Sequence, residues 1–200
     1  MNEKILLLLV LIGIALPASA MDLSGGLGTG FVKMGYLNEQ LEALAARQEA
    51  EFSPIRQAWD VQLEVWPWSQ VGFAVRVLSA SGVIHDRISE RLSSVALGIE
   101  ACGRFRLPMF GRPLRIEGGL GVYGAALSGA MSGKGLGFGG YAAVGLPILS
   151  LGGLRLNIKA GLQYLPFRSI RDGGNIIAPV GMAAIDFSCF FIGLDLLFGR

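Results

Sequence analysis

Apolar and polar residues alternate at a period of two along most of the chain beyond its first quarter. In the segment 93–107, Val95 and Ile99 fall in one row, while Glu100 and Arg104 fall in the other. Successive side chains of a strand point to opposite faces, so this alternation predicts β-strands with one apolar and one polar face. Strand-like segments separated by turn signals predict eight strands, at residues 23–35, 57–66, 71–79, 93–107, 114–127, 137–149, 154–167 and 185–198; the first is glycine-rich and does not show two distinct faces.

One segment has the spacing of a helix. In LNEQLEALAARQEAEF (37–52), Leu37, Leu41 and Leu44 share one face of a helix. Asn38 is the predicted N-cap, because its side chain can accept a hydrogen bond from a backbone N–H of the first turn. We expect the leucines to pack on the rim of the sheet structure; the alternative is that the helix serves as a lid or as a docking surface for a partner.

The connections between the predicted strands alternate between short and long. Tight turns are predicted at PWSQ (67–70), PMFGRP (108–113) and SLGG (150–153), whereas ASGVIHDRISERL (80–92) reads as a long polar loop. Residues 175–184 read as a loop or a strand extension, which leaves eight strands, with ten as the alternative. Short turns at one end and long loops at the other are typical of an up-and-down antiparallel membrane barrel.

Alternation alone would also fit a soluble β-sandwich with its apolar row turned inward. Two features favour a barrel whose apolar row faces lipid. Small residues are frequent in the charged row, as a narrow barrel interior requires: Gly98, Gly119, Gly121, Gly139, Ala143, Gly145, Gly161 and Gly193. Aromatic residues fall near the predicted strand ends, as in the girdles at membrane interfaces: Trp59, Trp66, Trp68, Tyr164, Phe167, Phe190 and Phe198.

The first 20 residues have the layout of a secretory signal peptide. Lys4 precedes an apolar run of about 12 residues, and Ala18-Ser19-Ala20 forms a small-residue cleavage site before Met21. The run is short for a spanning helix, which needs about 20 residues. We therefore predict a signal peptide at 1–20 and one exported barrel domain at 21–200.

Composition excludes several classes of function. Hydrophobic residues make up 52% of the chain and charged residues 16%, with a net charge of +2, so a nucleic-acid partner is not expected. No cluster of His, Cys and carboxylate residues has metal-ligand spacing, and no metal or other cofactor is predicted. Cys102 and Cys189 could pair after export, and the sequence leaves this open.

A catalytic role is not predicted. The only histidine, His85, lies beside Asp86 in the segment 80–92, and Ser79, Ser81 and Ser89 are close in sequence. A catalytic triad is recognised by geometry rather than by proximity along the chain, and these residue types are common in polar loops.

The inward row of the predicted barrel carries acids and bases in similar numbers. They are Asp60, Glu64, Glu100, Glu117 and Asp195 with Arg76, Arg104, Arg106, Arg115, Arg155 and Lys159. Unpaired charges in a narrow interior are costly, so this near-balance predicts a salt-bridged network that fills the barrel. Two alternatives remain: a narrow pore or transporter barrel for a small or lipidic ligand, and a soluble lipocalin-like binding barrel.

The chain closes with CFFIGLDLLFGR (189–200), in which one row is entirely apolar: Phe190, Ile192, Leu194, Leu196 and Phe198. This end resembles the closing strand of small bacterial outer-membrane β-barrel proteins, although Gly199 and Arg200 follow the last aromatic residue. The resemblance implies an outer-membrane location, contact with outer-membrane lipid, and recognition of the five apolar residues by the barrel-assembly machinery. With a filled interior, we predict a structural role or a role in adhesion or interaction.

Overall fold

The computed structural model describes residues 21–85, 91–109, 112–178 and 182–198. The predicted signal peptide at 1–20 lies outside these ranges, as do Asp86, Ser89, Gly199 and Arg200. In chain order the elements are β1 (Asp22–Val32), α1 (Gly35–Arg47), β2 (Glu51–Ser53), β3 (Gln57–Trp66), β4 (Val71–His85), β5 (Arg91–Met109), β6 (Arg112–Gly129), β7 (Gly133–Leu151), β8 (Leu154–Tyr164), β9 (Pro166–Phe167), β10 (Arg171–Asp172), β11 (Asn175–Ile176), β12 (Ile185–Asp186) and β13 (Cys189–Phe198).

Eight of these strands form a closed antiparallel barrel. The order around the wall is β1, β3, β4, β5, β6, β7, β8 and β13, and β13 pairs with β1 to close it. Eight strands were predicted, and the count is confirmed. In the described part of the segment 175–184, the alternative site of further strands, the structure has β11, a two-residue strand paired with β10.

The strands are staggered around the barrel. The cross-strand partners of Thr29 on β1 can be followed around the barrel in both directions. Through β3, β4, β5 and β6 they lead to Lys134 on β7. Through β13 and β8 they lead to Val144, which lies 10 residues further along β7. Closing a sheet with such a stagger requires the strands to tilt against the barrel axis.

The two ends of the barrel differ. Tight connections at 67–70 and 152–153 lie at one end, here called the turn end, together with both ends of the described chain. The long connections 33–56 and 165–188 lie at the other, here called the loop end. The predicted loop at 80–92 is wrong in extent, because β4 runs to His85 and β5 begins at Arg91. From Ala80 to His85, buried residues still alternate with exposed or half-buried ones.

The helix begins at Gly35 and ends at Arg47, so it starts two residues earlier and stops five residues earlier than the predicted segment 37–52. Leu37 and Leu41 are buried as expected, and Ala45 joins them, while Leu44 is only half-buried. Asn38 is not the N-cap. It lies inside the helix, where its amide donates a hydrogen bond to Ile55 O at 3.0 Å and accepts one from Ile55 N at 2.7 Å. These two bonds tie α1 to the chain that returns to β3.

The helix should be separable from the barrel wall. Replacing Ala45 with proline removes a helical N–H and clashes with the preceding turn, which is expected to cost about 3 kcal/mol. The wall contains no part of α1, so the variant should still form a barrel with heat-modifiable gel mobility. Replacing the exposed Ala46 with glycine is the control and should cost about 1 kcal/mol. Complete failure of Ala45→Pro to form the barrel would contradict this view of the helix.

The apolar row of each strand faces outward. Val95, Ile116 and Ile158 are 40%, 37% and 42% exposed, whereas Arg104 and Glu117 are 1% and 2% exposed. A soluble barrel or sandwich requires the reverse arrangement, so the soluble lipocalin-like alternative is excluded. Within the described residues, no helix is both long enough and apolar enough to cross a membrane.

The aromatic residues divide between the outer surface and the interior. Trp59, Trp68, Tyr164, Phe190 and Phe198 are exposed on the outside, as an aromatic girdle requires. The prediction was wrong for Trp66 and Phe167, which are buried inside the barrel. Trp66 belongs to the inward row of β3, and Phe167 lies beyond the point where the chain leaves the wall.

Candidate functional site

The barrel interior contains two layers of different chemistry. The charged layer lies towards the turn end and consists of nine of the predicted charged residues: Asp60, Glu64, Arg76, Glu100, Arg104, Arg115, Glu117, Lys159 and Asp195. The apolar layer lies towards the loop end and includes residues of α1 and of the segment 165–187. The second layer was not predicted.

Glu64 is at the centre of the charged layer. Its carboxylate accepts hydrogen bonds from Ser24 Oγ at 2.6 Å, Trp66 Nε1 at 2.8 Å and Gln62 Nε2 at 2.5 Å. Lys159 Nζ lies 3.3 Å away and Arg115 Nη2 3.5 Å away. These partners come from β1, β3, β6 and β8, so one carboxylate joins strands on several sides of the barrel.

Arg115 and Lys159 connect Glu64 to the other acids of this group. Arg115 forms ion pairs with Glu117 and, at 2.6 Å, with Asp195, and Lys159 also pairs with Glu117. Each cation therefore contacts more than one carboxylate. Shared ion pairs of this kind offset part of the cost of removing the charges from water.

Arg76 is at the centre of a second group and is completely buried. Its guanidinium lies 3.2 Å from Asp60 and 3.6 Å from Glu100, and it stacks 4.1 Å above the centre of the Tyr141 ring. It also donates a hydrogen bond to Gln163 Oε1 at 3.3 Å. The side chain thus extends from β4 to β7 and β8, across the lumen.

Arg104 forms a separate pair near the turn end. It contacts Asp22, donates to Ser69 O at 2.8 Å and stacks 4.3 Å above the Trp66 ring. Asp22 was not among the predicted site residues, because the predicted first strand began one residue later.

Because Arg104 pairs with Asp22, the five other carboxylates of the layer share three cations: Arg76, Arg115 and Lys159. Neutral hydrogen-bond donors stabilise the extra carboxylates: Ser24 and Trp66 donate to Glu64, and Tyr123 donates to Glu100.

Two predicted members are not part of the buried charged layer. Arg106 has a side chain that is 41% exposed at the turn end and lies 3.4 Å from Asp22. Arg155 is half-buried close to the β7–β8 turn. Both are in the inward row, as the alternation predicted, but they lie so near the barrel mouth that water reaches them. Period-two alternation reports the face of a residue and not its depth.

The apolar layer closes the loop end. Leu37 and Leu41 of α1 pack with Phe167, Ile170 and Phe187, all of which are fully buried. The sequence signal for this layer is the row of inward glycines on β7. A Cβ at Gly137 would lie 2.7 Å from the Phe167 ring, and one at Gly135 would lie 2.6 Å from Ser169 O. These glycines leave the space that Phe167 and Ile170 occupy.

The remaining candidates are isolated. His85 Nε2 lies 2.8 Å from the exposed Ser53 Oγ, a serine outside the predicted set, and Asp86 and Ser89 lie outside the described residues. Over the described ranges, no group of three or more His, Cys, Asp or Glu residues could hold a metal ion. Cys102 and Cys189 are both free thiols.

The closing strand β13 places its apolar row on the outside. Phe190, Ile192, Leu194 and Phe198 are exposed and Leu196 is half-buried, while Asp195 points inward. The strand pairs with β1 over ten residues and with β8 over ten residues, so it completes the wall.

Comparison with known proteins supports the fold assignment. No protein-family model and no curated protein matches the chain. Neisserial surface protein A has 10% identity and a TM-score of 0.52, with 91% of this chain and 98% of that chain covered. The N-terminal β-barrel domain of Pseudomonas aeruginosa OprF has 12% identity, a TM-score of 0.41 and coverage of 91% and 98%. The P. aeruginosa outer membrane protein OprG has 10% identity, a TM-score of 0.46 and coverage of 90% and 96%. The closed eight-stranded wall and the likeness to Neisserial surface protein A show that the chain has the fold of the small eight-stranded bacterial outer-membrane β-barrels.

Proposed function

We propose that the protein is a closed outer-membrane barrel with a structural or interaction role, and that it does not act as a channel or an enzyme. In this proposal the signal peptide at 1–20 directs export. The barrel-assembly machinery reads Phe190, Ile192, Leu194, Leu196 and Phe198. The observation that carries the proposal is the filled interior, because two independent layers of side chains obstruct the lumen.

The charged layer obstructs the lumen with side chains that reach across it. Lys159 on β8 donates to Gln62 Oε1 on β3 at 3.1 Å, and Arg76 on β4 reaches Gln163 on β8. Ion-conducting pores instead carry rings of charge around an open path. The interior of an eight-stranded barrel is about wide enough for its own side chains. The charge network is thus best understood as a support for the barrel.

The surface available to a partner is the loop end. The exposed side of α1 carries Glu39, Glu42 and Arg47, and Glu49 follows in the connection to β2. This side points away from the buried leucines that hold the helix to the apolar layer. We therefore place contacts with other molecules at α1 and the long connections, as the sequence suggested for the helix at 37–52.

The closed interior predicts the absence of solute flux. Proteoliposomes containing the folded protein should release an entrapped small sugar no faster than empty liposomes, and planar bilayers should show no steady unitary current. Heat-modifiable mobility of protein recovered from the same liposomes verifies folding, and a porin tested in parallel verifies the assay. Steady unitary currents from the folded protein would overturn the proposal in favour of a narrow pore.

A further inference from the structure

The wall of the barrel has a break between β7 and β8 on the loop side. The two strands remain paired only as far as Gly140 and Tyr164, although β7 continues to Gly133. Beyond Tyr164 the chain turns into the barrel, where Leu165 and Phe167 are fully buried. Residues 133–139 of β7 therefore lack β8 as a neighbour in the wall. They are backed by residues 165–170, here called the inserted segment.

The inserted segment is held by its own hydrogen bonds. Leu165 N donates to Ser188 Oγ at 3.0 Å, and Phe187 N donates to Leu165 O at 3.1 Å. β9 also pairs with β12 as a separate two-stranded ladder. This ladder sits inside the line of the wall, so its displacement leaves a recess on the outer surface.

The recess is an apolar groove of about 690 Å³, within the roughly 300–1,000 Å³ typical of small-molecule sites. Outward side chains form its sides: Leu120, Phe138, Ala142, Leu162 and Tyr164. Its base includes Gly139, Gly140 and Cys189. The groove opens onto the apolar outer surface of the barrel, which is the surface that acyl chains cover. Continuity with that surface makes a hydrocarbon chain the fitting occupant.

Two cations lie above the groove. Lys134 and Arg171 are direct cross-strand partners on β7 and β10, and both are exposed. Lys134 and Phe138 belong to the same outward row of β7. They are four residues apart, which corresponds to a distance of about 13 Å along the strand. Among the described residues, neither cation has an ion pair. Asp172, the neighbour of Arg171, points to the opposite face of its strand.

We propose that this groove and the Lys134–Arg171 pair bind an anionic membrane lipid. One acyl chain occupies the groove, and the phosphate of the head group lies between the two cations. Phosphate accepts several charge-assisted hydrogen bonds, and two adjacent cations without a carboxylate partner are complementary to it. The site is on the outside of the barrel, so it does not depend on whether the interior conducts.

Native mass spectrometry of the purified full chain tests the site with two probes that share their acyl chains. Phosphatidylglycerol should bind at least about ten-fold more tightly than phosphatidylcholine, because charged hydrogen bonds of this kind are worth about a factor of ten or more. The double variant Lys134→Gln/Arg171→Gln should lose that preference. The control, Arg56→Gln/Arg91→Gln, removes the same charge from the same end and should retain it.

The groove is tested independently of the cations. Replacing Ala142 with tryptophan fills the groove and should weaken phosphatidylglycerol binding by about ten-fold. Replacing Ala101, an exposed outward alanine on β5, with tryptophan is the matched control and should leave phosphatidylglycerol binding unchanged. If either tryptophan variant lacks heat-modifiable mobility, the Ala142→Leu and Ala101→Leu pair replaces it. Equal binding of the two lipids, or equal binding by a variant and its control, would overturn the proposal.

Discussion

Replacing Arg76 with methionine is expected to lower the free energy of unfolding by about 3–5 kcal/mol, since removing one partner leaves buried charges uncompensated. Asp60 and Glu100 both face this guanidinium, at 3.2 and 3.6 Å. The stacking contact with Tyr141 is lost as well. Urea unfolding of the refolded barrel in lipid vesicles, followed by tryptophan fluorescence, measures the change.

A matched control and a rescue make this experiment specific. Arg155→Met removes a half-buried arginine outside the charged layer and should change stability by less than about 1 kcal/mol. Adding Asp60→Asn and Glu100→Gln to Arg76→Met removes the uncompensated charges and should restore most of the loss. The proposed role of Arg76 would be refuted if Arg76→Met were as stable as Arg155→Met.

Replacing Phe167 with alanine should cost about 3–5 kcal/mol, the range for large-to-small changes in a packed core. The ring is fully buried and packs edge-on against Phe187, with ring centres 6.4 Å apart. It also lies against Gly137. Neighbouring residues cannot fill the vacated space fully, so a cavity remains in the apolar layer. The same urea titration measures this loss.

Phe73→Ala is the corresponding control on the outer surface. Phe73 is exposed on β4, and in a membrane the lipid moves into the volume that the ring leaves. Without a residual cavity, the loss should be clearly smaller than for Phe167→Ala. Equal losses at the two positions would show that Phe167 is not part of a packed layer that closes the loop end.

Most of the wall was predictable from alternation. The charged rows of β3, β5 and β6 were assigned to the interior, and in the barrel Arg104 and Glu117 stand opposite each other in the register of β5 and β6. Strand ends were less predictable, because β4 continues through Ala80, Ser81 and Gly82 and ends only at His85. Strand propensity is weak at these three residues, and pairing with β5 extends the strand.

Partner choice within the charged layer could not be read from the sequence. Counting charges in the inward row indicated a network but not that Arg104 would pair with Asp22, or that Arg106 and Arg155 would lie at a solvated end. These outcomes depend on depth along a tilted strand and on side chains from the opposite wall. Both quantities exist only after the barrel has closed with its particular stagger.

The sequence by itself determined the eight strands and their two different faces, because these follow from turn signals and from local alternation along one strand. The small residues in the charged row and the aromatic residues near strand ends then indicated that the apolar row faces outward and the charged row inward. Only the tertiary structure decided that Leu165, Phe167, Ile170 and Phe187 pack inside the barrel, that α1 closes the loop end, and that a groove opens between β7 and β8. The physical reason is that the inserted segment fills space left by glycines on a strand more than 25 residues away in the chain. Such packing involves residues distant in sequence, and the glycine row alone does not specify which segment fills the space.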